Sequence, residues 1–232
     1  MQRVNTVEML DSDDCPPGEV EASLRDMGRI NRWFGGVTTT RRMIERVAAT
    51  TGRKHFRILE VASGLGEVPK AASDQVRRKG ITLDVLCLDR VRSHLQNGNG
   101  TRESHCPVVA DALALPFPDN SFDLVSSSLF AHHLAPPELT QFVAEALRVS
   151  RYAVLINDLI RHPLHVALVY AAFPLMRSYV SRFDGVASVR RAYVPEEMGR
   201  MLSSSAQAAK VDISSHFLFR MGVIAWKAII DG

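Results

Sequence analysis

The chain has 232 residues, 46% of them hydrophobic and 23% charged, with a formal net charge of +3. That is enough apolar material for one domain with a sizeable core, and too small a charge excess to imply a nucleic-acid partner by itself. Cys15, Cys87 and Cys106 have no metal-ligand spacing, so no metal is expected, and they read as reduced thiols of a cytoplasmic protein. No basic and apolar leader opens the sequence. Its most apolar helix candidate, Leu164 to Val180, is interrupted by His165, Pro174 and Arg177. It falls short of a membrane span, which leaves peripheral contact as the closest approach to a bilayer.

In chain order, acids such as Glu8, Asp11, Asp13 and Asp14 and the pair Pro16-Pro17 mark residues 1–18 as a mobile arm. An amphipathic helix follows from about 19 to 34, with Leu24, Met27, Ile30 and Phe34 at helical spacing, until Gly35-Gly36 stops it. Thr38 to Thr40 offer N-caps for a second helix through Ala49, so N-terminal helices fill 19–50. Arginines dominate from Arg25 to Arg57 against only Asp26 and Glu45, without the aromatic interleaving of single-stranded nucleic-acid binders. They read as solvated helix faces rather than a nucleic-acid surface.

From there strands and helices alternate. Strands are expected at 56–61, 82–88, 107–110, 122–127 and 153–157, with helices at 68–78, 91–95 and 137–149. A long helix at 163–181 and another at 195–206 form a helical insertion, 162–206, and strands at 210–219 and 221–229 close the chain. Near-continuously apolar strands alternating with helices predict an α/β fold, a Rossmann-like, doubly wound, mostly parallel sheet. The two late strands, with no helix between them, predict an antiparallel hairpin at its edge. A single domain over 19–232 results.

Such sheets bind ligands beyond the carboxyl ends of their strands. The first strand ends in Glu60-Val61-Ala62-Ser63-Gly64-Leu65-Gly66, an acid followed by a turn whose glycines let backbone and ligand approach closely. Asp89 and Arg90 follow the second strand, and Asp89 is placed to accept from ribose hydroxyls. Asp111 and Ala112 follow the third, where Asp111 could accept from an adenine amino group. Asp123 is read as an anchor for the fourth strand. A nicotinamide site is disfavoured, because the third glycine of Gly-x-Gly-x-x-Gly would fall on Pro69 and no Tyr-x-x-x-Lys pair is present.

This series resembles motif I, the acidic loop and motif II of class I S-adenosylmethionine-dependent methyltransferases, in the small-molecule, type 11-like subgroup. It departs from them at Ala62, where the family usually has its first glycine; alanine is tolerable there if φ stays negative. The resemblance implies S-adenosylmethionine as cofactor, held by Glu60, Ala62, Ser63, Gly64, Gly66, Asp89, Arg90, Asp111, Ala112 and Ser128. It also implies a small acceptor. Phe130-Ala131-His132-His133-Leu134 ends as many members of that subgroup do. An imidazole beside the acceptor can remove its proton, so His132, His133 and, after the fifth strand, Asp158 are the catalytic candidates. Each also has a structural reading, as loop tie or helix cap. Phe130, His162, Phe173 and Tyr193 are the candidate acceptor contacts. The apolar residues of 164–180 lie nearly all round a helix, which implies burial and suggests a lid over a hydrophobic acceptor. The expected reaction is O-methylation of a phenolic, quinol-like or polyketide-derived compound, with C-methylation of a quinol ring second. A catalytically silent cofactor-binding module is the rival of another class.

Overall fold

The computed structural model describes residues 1–11, 15–92, 95, 107–203 and 208–228. Cys106, Asp13, Asp14, residues 93 and 94 of the expected 91–95 helix and the last residues of the 195–206 and 221–229 elements lie outside them. One sheet organises the chain. Its strands are β1 (His55–Val61), β2 (Thr82–Asp89), β3 (Val108–Val109), β4 (Phe122–Ser128), β5 (Ser150–Leu159), β6 (Ala208–His216) and β7 (Arg220–Lys227). Their spatial order is β3-β2-β1-β4-β5-β7-β6. The first five run parallel, whereas β7 pairs antiparallel with both β5 and β6. The expected closing hairpin is therefore present, with its later strand inserted next to β5.

Two apolar clusters sandwich this sheet. One packs Phe142, Val143, Ala146 and Leu147 of α4 (Pro136–Val149) against Leu59, Val125 and Ile156, and the other packs Ile44 and Val47 of α2 (Gly36–Thr51) against Ile58, Leu124 and Leu155. Because helices cover both faces, the central strands need apolar side chains at successive positions rather than alternate ones. Asp123 accepts from the Arg57 amide at 2.8 Å and so ties the start of β1 to β4.

Several boundaries differ from the sequence expectation for local physical reasons. α1 (Pro17–Trp33) and α2 are separated by Gly35, at φ +83°, so α2 starts at Gly36 and Thr38–Thr40 lie inside it. A Cβ at Gly35 would come within 2.7 Å of the Phe217 carbonyl. The single helix expected over 163–181 is two, α5 (Pro163–Ala171) and α6 (Tyr179–Arg191), joined through a 3-10 turn at Phe173–Leu175. Pro174 supplies no N–H for a continuing ladder, and the Ser178 hydroxyl accepts from the Val180 amide at 3.1 Å to start α6 afresh. The final helix is α7 (Pro195–Ser203), and α3 (Glu67–Arg77) follows the glycine turn. Pro69 fits because it sits in the first turn of α3.

The N-terminal arm needs a correction as well. Instead of standing free, its first residues lie across the carboxyl end of the sheet. Arg3 donates to the carbonyls of Arg191 at 2.6 Å and of His132 and Leu134 at 3.0 Å, while Met9 and Leu10 donate to the Asp184 carboxylate. Glu8 is buried there. Its charge is compensated by groups distant in sequence, which a local reading of the arm does not bring together.

Candidate active site

Parallel pairing aligns the carboxyl ends of β1, β2, β4 and β5, with Glu60 opposite Ser126 and Ser128 opposite Asn157. Beyond those ends lies a cleft of about 420 Å³, within the range of ligand pockets. Of the ten expected cofactor contacts, nine line it: Glu60, Ala62, Ser63, Gly64, Asp89, Arg90, Asp111, Ala112 and Ser128. Gly66 does not. It precedes α3 at φ +68°, and a Cβ there would press on Cys87 Sγ at 3.3 Å.

The glycine turn is held by the acid of the next strand. The Asp89 carboxylate accepts from the Gly64 amide and, through its other oxygen, from the Val91 amide, both at 2.9 Å, while the Gly66 amide donates to Ser63. As a carboxylate, Asp89 is an acceptor of the kind that suits hydroxyl donors. Gly64 sits at φ +50° with nothing nearer to its missing Cβ than Leu24 at 4.0 Å, so the turn is open on that side. Ala62 is at φ +53°, so the condition of a negative φ fails. A left-handed alanine costs about 1–2 kcal/mol, which the surrounding turn has to offset.

These residues fit an adenosyl group carrying a methionine moiety. Glu60 Oε2 and the Ser63 and Ser128 hydroxyls are buried without a well-formed hydrogen bond among the described residues, Ser128 lying near Glu60 and Ser63 near Cys87. Such groups call for donors and acceptors of a ligand. Burial pushes Glu60 up to about 7, with nearby Ser126 and Ser128 only tempering the rise. An ammonium group beside it would favour the carboxylate. Adenosylhomocysteine affinity should therefore weaken as the pH falls below about 7, where Glu60 takes a proton. The dependence should flatten in Glu60→Gln, and calorimetry at a series of pH values reads both.

The catalytic candidates come together, though not as equals. His132 is buried in a 3-10 turn (Ala131–His133), where its Nδ1 stands 2.7 Å from Asp158 Oδ1 and its amide donates to Oδ2 at 2.9 Å. Its Nε2 faces Glu8 Oε1 at 3.3 Å. Burial opposes a charge on His132, but Asp158 and then Glu8 outweigh it and push the imidazole up to about 10. Both carboxyls lie below their usual range, because His132 overcomes the cost of burying them. His132 and Asp158 do not line the cleft; His133, Phe130 and Glu8 do. His133 Nε2 stands 3.6 Å from Glu8 Oε2, and its ring stacks at 6.4 Å on Phe130.

Glu8 is the cleft residue that sequence reasoning missed, whereas Arg191 lies in a segment whose arginines suit a carboxylate by sequence alone. Arg191 lines the cleft, donates to the His133 carbonyl at 2.9 Å and lies 3.7 Å from Glu8. Its segment, Ser188 to Tyr193, is arginine-rich, but nothing in the sequence marks Arg191 over Arg190. One donor atom each from Glu8, His132 and His133 lies within 4.8 Å of the others, a set able to hold a cation. Imidazolium His132 and Arg191 already balance Glu8 and Asp158, and the set acts as an ion-pair network.

Three expected acceptor contacts need correction. His162 caps α5, accepting from the Leu164 amide at 3.1 Å, and stacks on Phe219 at 4.9 Å. Tyr193 is buried, donates to the Leu134 carbonyl at 2.7 Å and carries Arg3 over its ring at 4.3 Å. Phe173 packs beside Tyr170, their ring centres 5.1 Å apart. None of the three lines the cleft, because capping, the arm and the break at Pro174 take up their side chains.

The fold is similar to that of solved methyltransferases. Residues 59–153 match the family model described as a methyltransferase domain. Residues 59–153 are thus similar to a methyltransferase domain, and the cleft residues fit the S-adenosylmethionine cofactor that such a domain takes. Over 150 residues it is 31% identical to a demethylmenaquinone methyltransferase of Renibacterium salmoninarum, covering 65% of this chain and 56% of that one. A protein of the same name from Paenarthrobacter aurescens is 27% identical over 65% of this chain and 53% of its own length. The chain thus spans about half the length of these curated relatives. Among solved structures, the plantazolicin methyltransferase superposes with a TM-score of 0.69 at 10% identity, over 89% of this chain and 90% of that one. An S-adenosylmethionine-dependent methyltransferase of Aquifex aeolicus gives 0.60 at 17% identity, over 93% and 100%. Likeness at such identities concerns the fold. Among the described residues no helix is long and apolar enough to cross a membrane.

Proposed function

We propose that this protein methylates a small hydrophobic acceptor, a quinol-like ring, at carbon. The observation that carries the reading is His133, which faces the same cleft as the glycine turn, between the Phe130 ring and the Glu8 carboxylate. Leu10, Met27 and Leu134 add apolar wall. The name of the two curated relatives supports a quinol-type acceptor.

The sulfonium of the cofactor supplies the reactive methyl group, and the protein supplies approach geometry and a place for the proton. His133 takes the hydroxyl proton of the acceptor, which raises electron density on the ring. The ring carbon would then accept the methyl group that the cofactor supplies; the ring proton it displaces passes to solvent, and the oxygen regains its proton from His133. Glu8 steadies the cation formed on His133. His132, already protonated and fixed by Asp158, holds Glu8 in place rather than accepting a proton. Arg191 is the contribution to the cleft of the 162–206 insertion, which acts as its lid. O-methylation of a phenolic oxygen uses the same base and is the second reading, since a single proton acceptor serves both.

Transfer of labelled methyl from S-adenosylmethionine to a short-chain quinol tests the proposal, with the methylated position read by NMR. A ring-methyl product is expected. His133→Asn should lower kcat by about 100-fold, the usual scale for losing a general base, while adenosylhomocysteine affinity is unchanged. An undiminished kcat would remove His133 from the chemistry. An oxygen-methyl product would select the second reading.

A further inference from the structure

α5 is apolar on every side, yet the fold does not bury it. Leu164 is 54% exposed, Leu168 37% and Tyr170 50%, and beyond the Pro174 break Leu175, Tyr179 and Phe183 are 54%, 48% and 48% exposed. This corrects the expected burial of most of the 164–180 stripe; Met176 and Val180 are buried. Soluble surfaces carry single exposed apolar side chains routinely, but six on consecutive, mutually packed elements call for a partner.

Charge indicates which partner. Between Asp158 and Asp184 the sequence has no acid, while it has Arg161, Arg177 and Arg182. The side chains of Arg177 and Arg182 are exposed beside the apolar residues, whereas Arg161 is turned inward against Glu197. The nearest acids of α1 are engaged: Asp26 accepts from the amides of Arg177 and Ser178, and Glu19 accepts from the Ser178 hydroxyl. Asp184 is buried under the arm. The surface therefore combines leucines, aromatic rings and outward arginines with no outward carboxylate from its own segment. Tyrosines and arginines around an apolar patch suit the headgroup layer of a bilayer with anionic lipids, where helices lie in the plane of the interface.

We infer that α5, the Phe173–Leu175 turn and the start of α6 form a docking surface for an anionic lipid bilayer. The surface stands at the carboxyl end of the sheet, where the cleft opens, because α5 follows β5 directly and α6 runs on to Arg191. The inference deepens the proposed function and rests on it for one point, namely that the docked face brings the cleft to a lipophilic acceptor dissolved in the membrane.

The test is co-sedimentation of the full chain with phosphatidylglycerol–phosphatidylcholine vesicles and with pure phosphatidylcholine vesicles, beside light scattering of the protein alone. We expect binding at least 10-fold stronger to the anionic vesicles, lost at least 10-fold in Leu164→Glu/Leu175→Glu. That variant should keep adenosylhomocysteine affinity, which shows that it is folded, and transfer to a water-soluble quinol. Equal binding to both vesicles, no binding to either, or a variant that binds like the wild type would overturn the inference. So would a wild-type dimer that the substitutions dissociate, since a second copy would then cover the face. Transfer to the soluble quinol reads the acceptor proposal independently. If it fails while the vesicles bind, only the acceptor reading falls; if it succeeds while they do not, only the docking surface falls.

Discussion

Asp158→Ala should cost about 3–5 kcal/mol of folding stability, the price of leaving a buried cation with one of its two counter-charges removed. In the wild type His132 lies between Asp158 at 2.7 Å and Glu8 at 3.3 Å, all three buried. The pH dependence has a definite sign. His132 is raised, so its contribution is fully present below its ordinary value of 6.5 and is lost as the pH climbs through about 10. Asp158 and Glu8 are lowered, so theirs is present above the ordinary values of 3.8 and 4.5 and is lost as the pH falls through their lower folded values. Urea melts of wild type and variant across pH measure both limbs. The variant should lose most of the decline between 6.5 and about 10. A variant as stable as the wild type, with the same alkaline limb, would mean that His132 is not held as a cation.

Gly64→Val should weaken adenosylhomocysteine by at least about 100-fold, or about 2.7 kcal/mol. The protein itself has room for a Cβ there, with Leu24 no closer than 4.0 Å. What a valine would occupy is the space along which the ligand approaches the backbone. A β-branched residue at φ +50° also strains the turn that Asp89 holds. Gly64→Ala separates the effects, since it keeps most of the strain and removes most of the bulk. Full affinity in Gly64→Val would place the cofactor elsewhere.

Much of this was legible in the sequence because it is local. β1, β2, β4 and β5 announce themselves as apolar runs, and the first three carry at or beside their ends a polar residue that the cleft uses. The break in the 163–181 helix was partly legible, since Pro174 is visible, but the competing cap at Ser178 gains its importance only once the chain turns there. The backbone of Ala62 was not legible, because a positive φ at alanine is imposed by the turn and not by the residue. His132, His133 and Asp158 could be picked by residue type and position. Their division of labour could not, because it depends on which ring faces the cleft and on Glu8, a carboxylate brought from the N-terminal arm by tertiary packing. The exposure of α5 was hidden for the opposite reason: an all-apolar helix reads as buried until the surroundings are known to stop short of it.

The most direct measurement is calorimetric titration of the full chain with adenosylhomocysteine and with NADH, repeated on Asp89→Ala. The account predicts one site for adenosylhomocysteine and none for NADH. It also predicts a loss of about 1–3 kcal/mol in the variant, which forfeits charge-assisted hydrogen bonds to the ligand together with the Asp89 clamp on the glycine turn. Binding of NADH, or adenosylhomocysteine affinity unchanged in a folded Asp89→Ala, would contradict it.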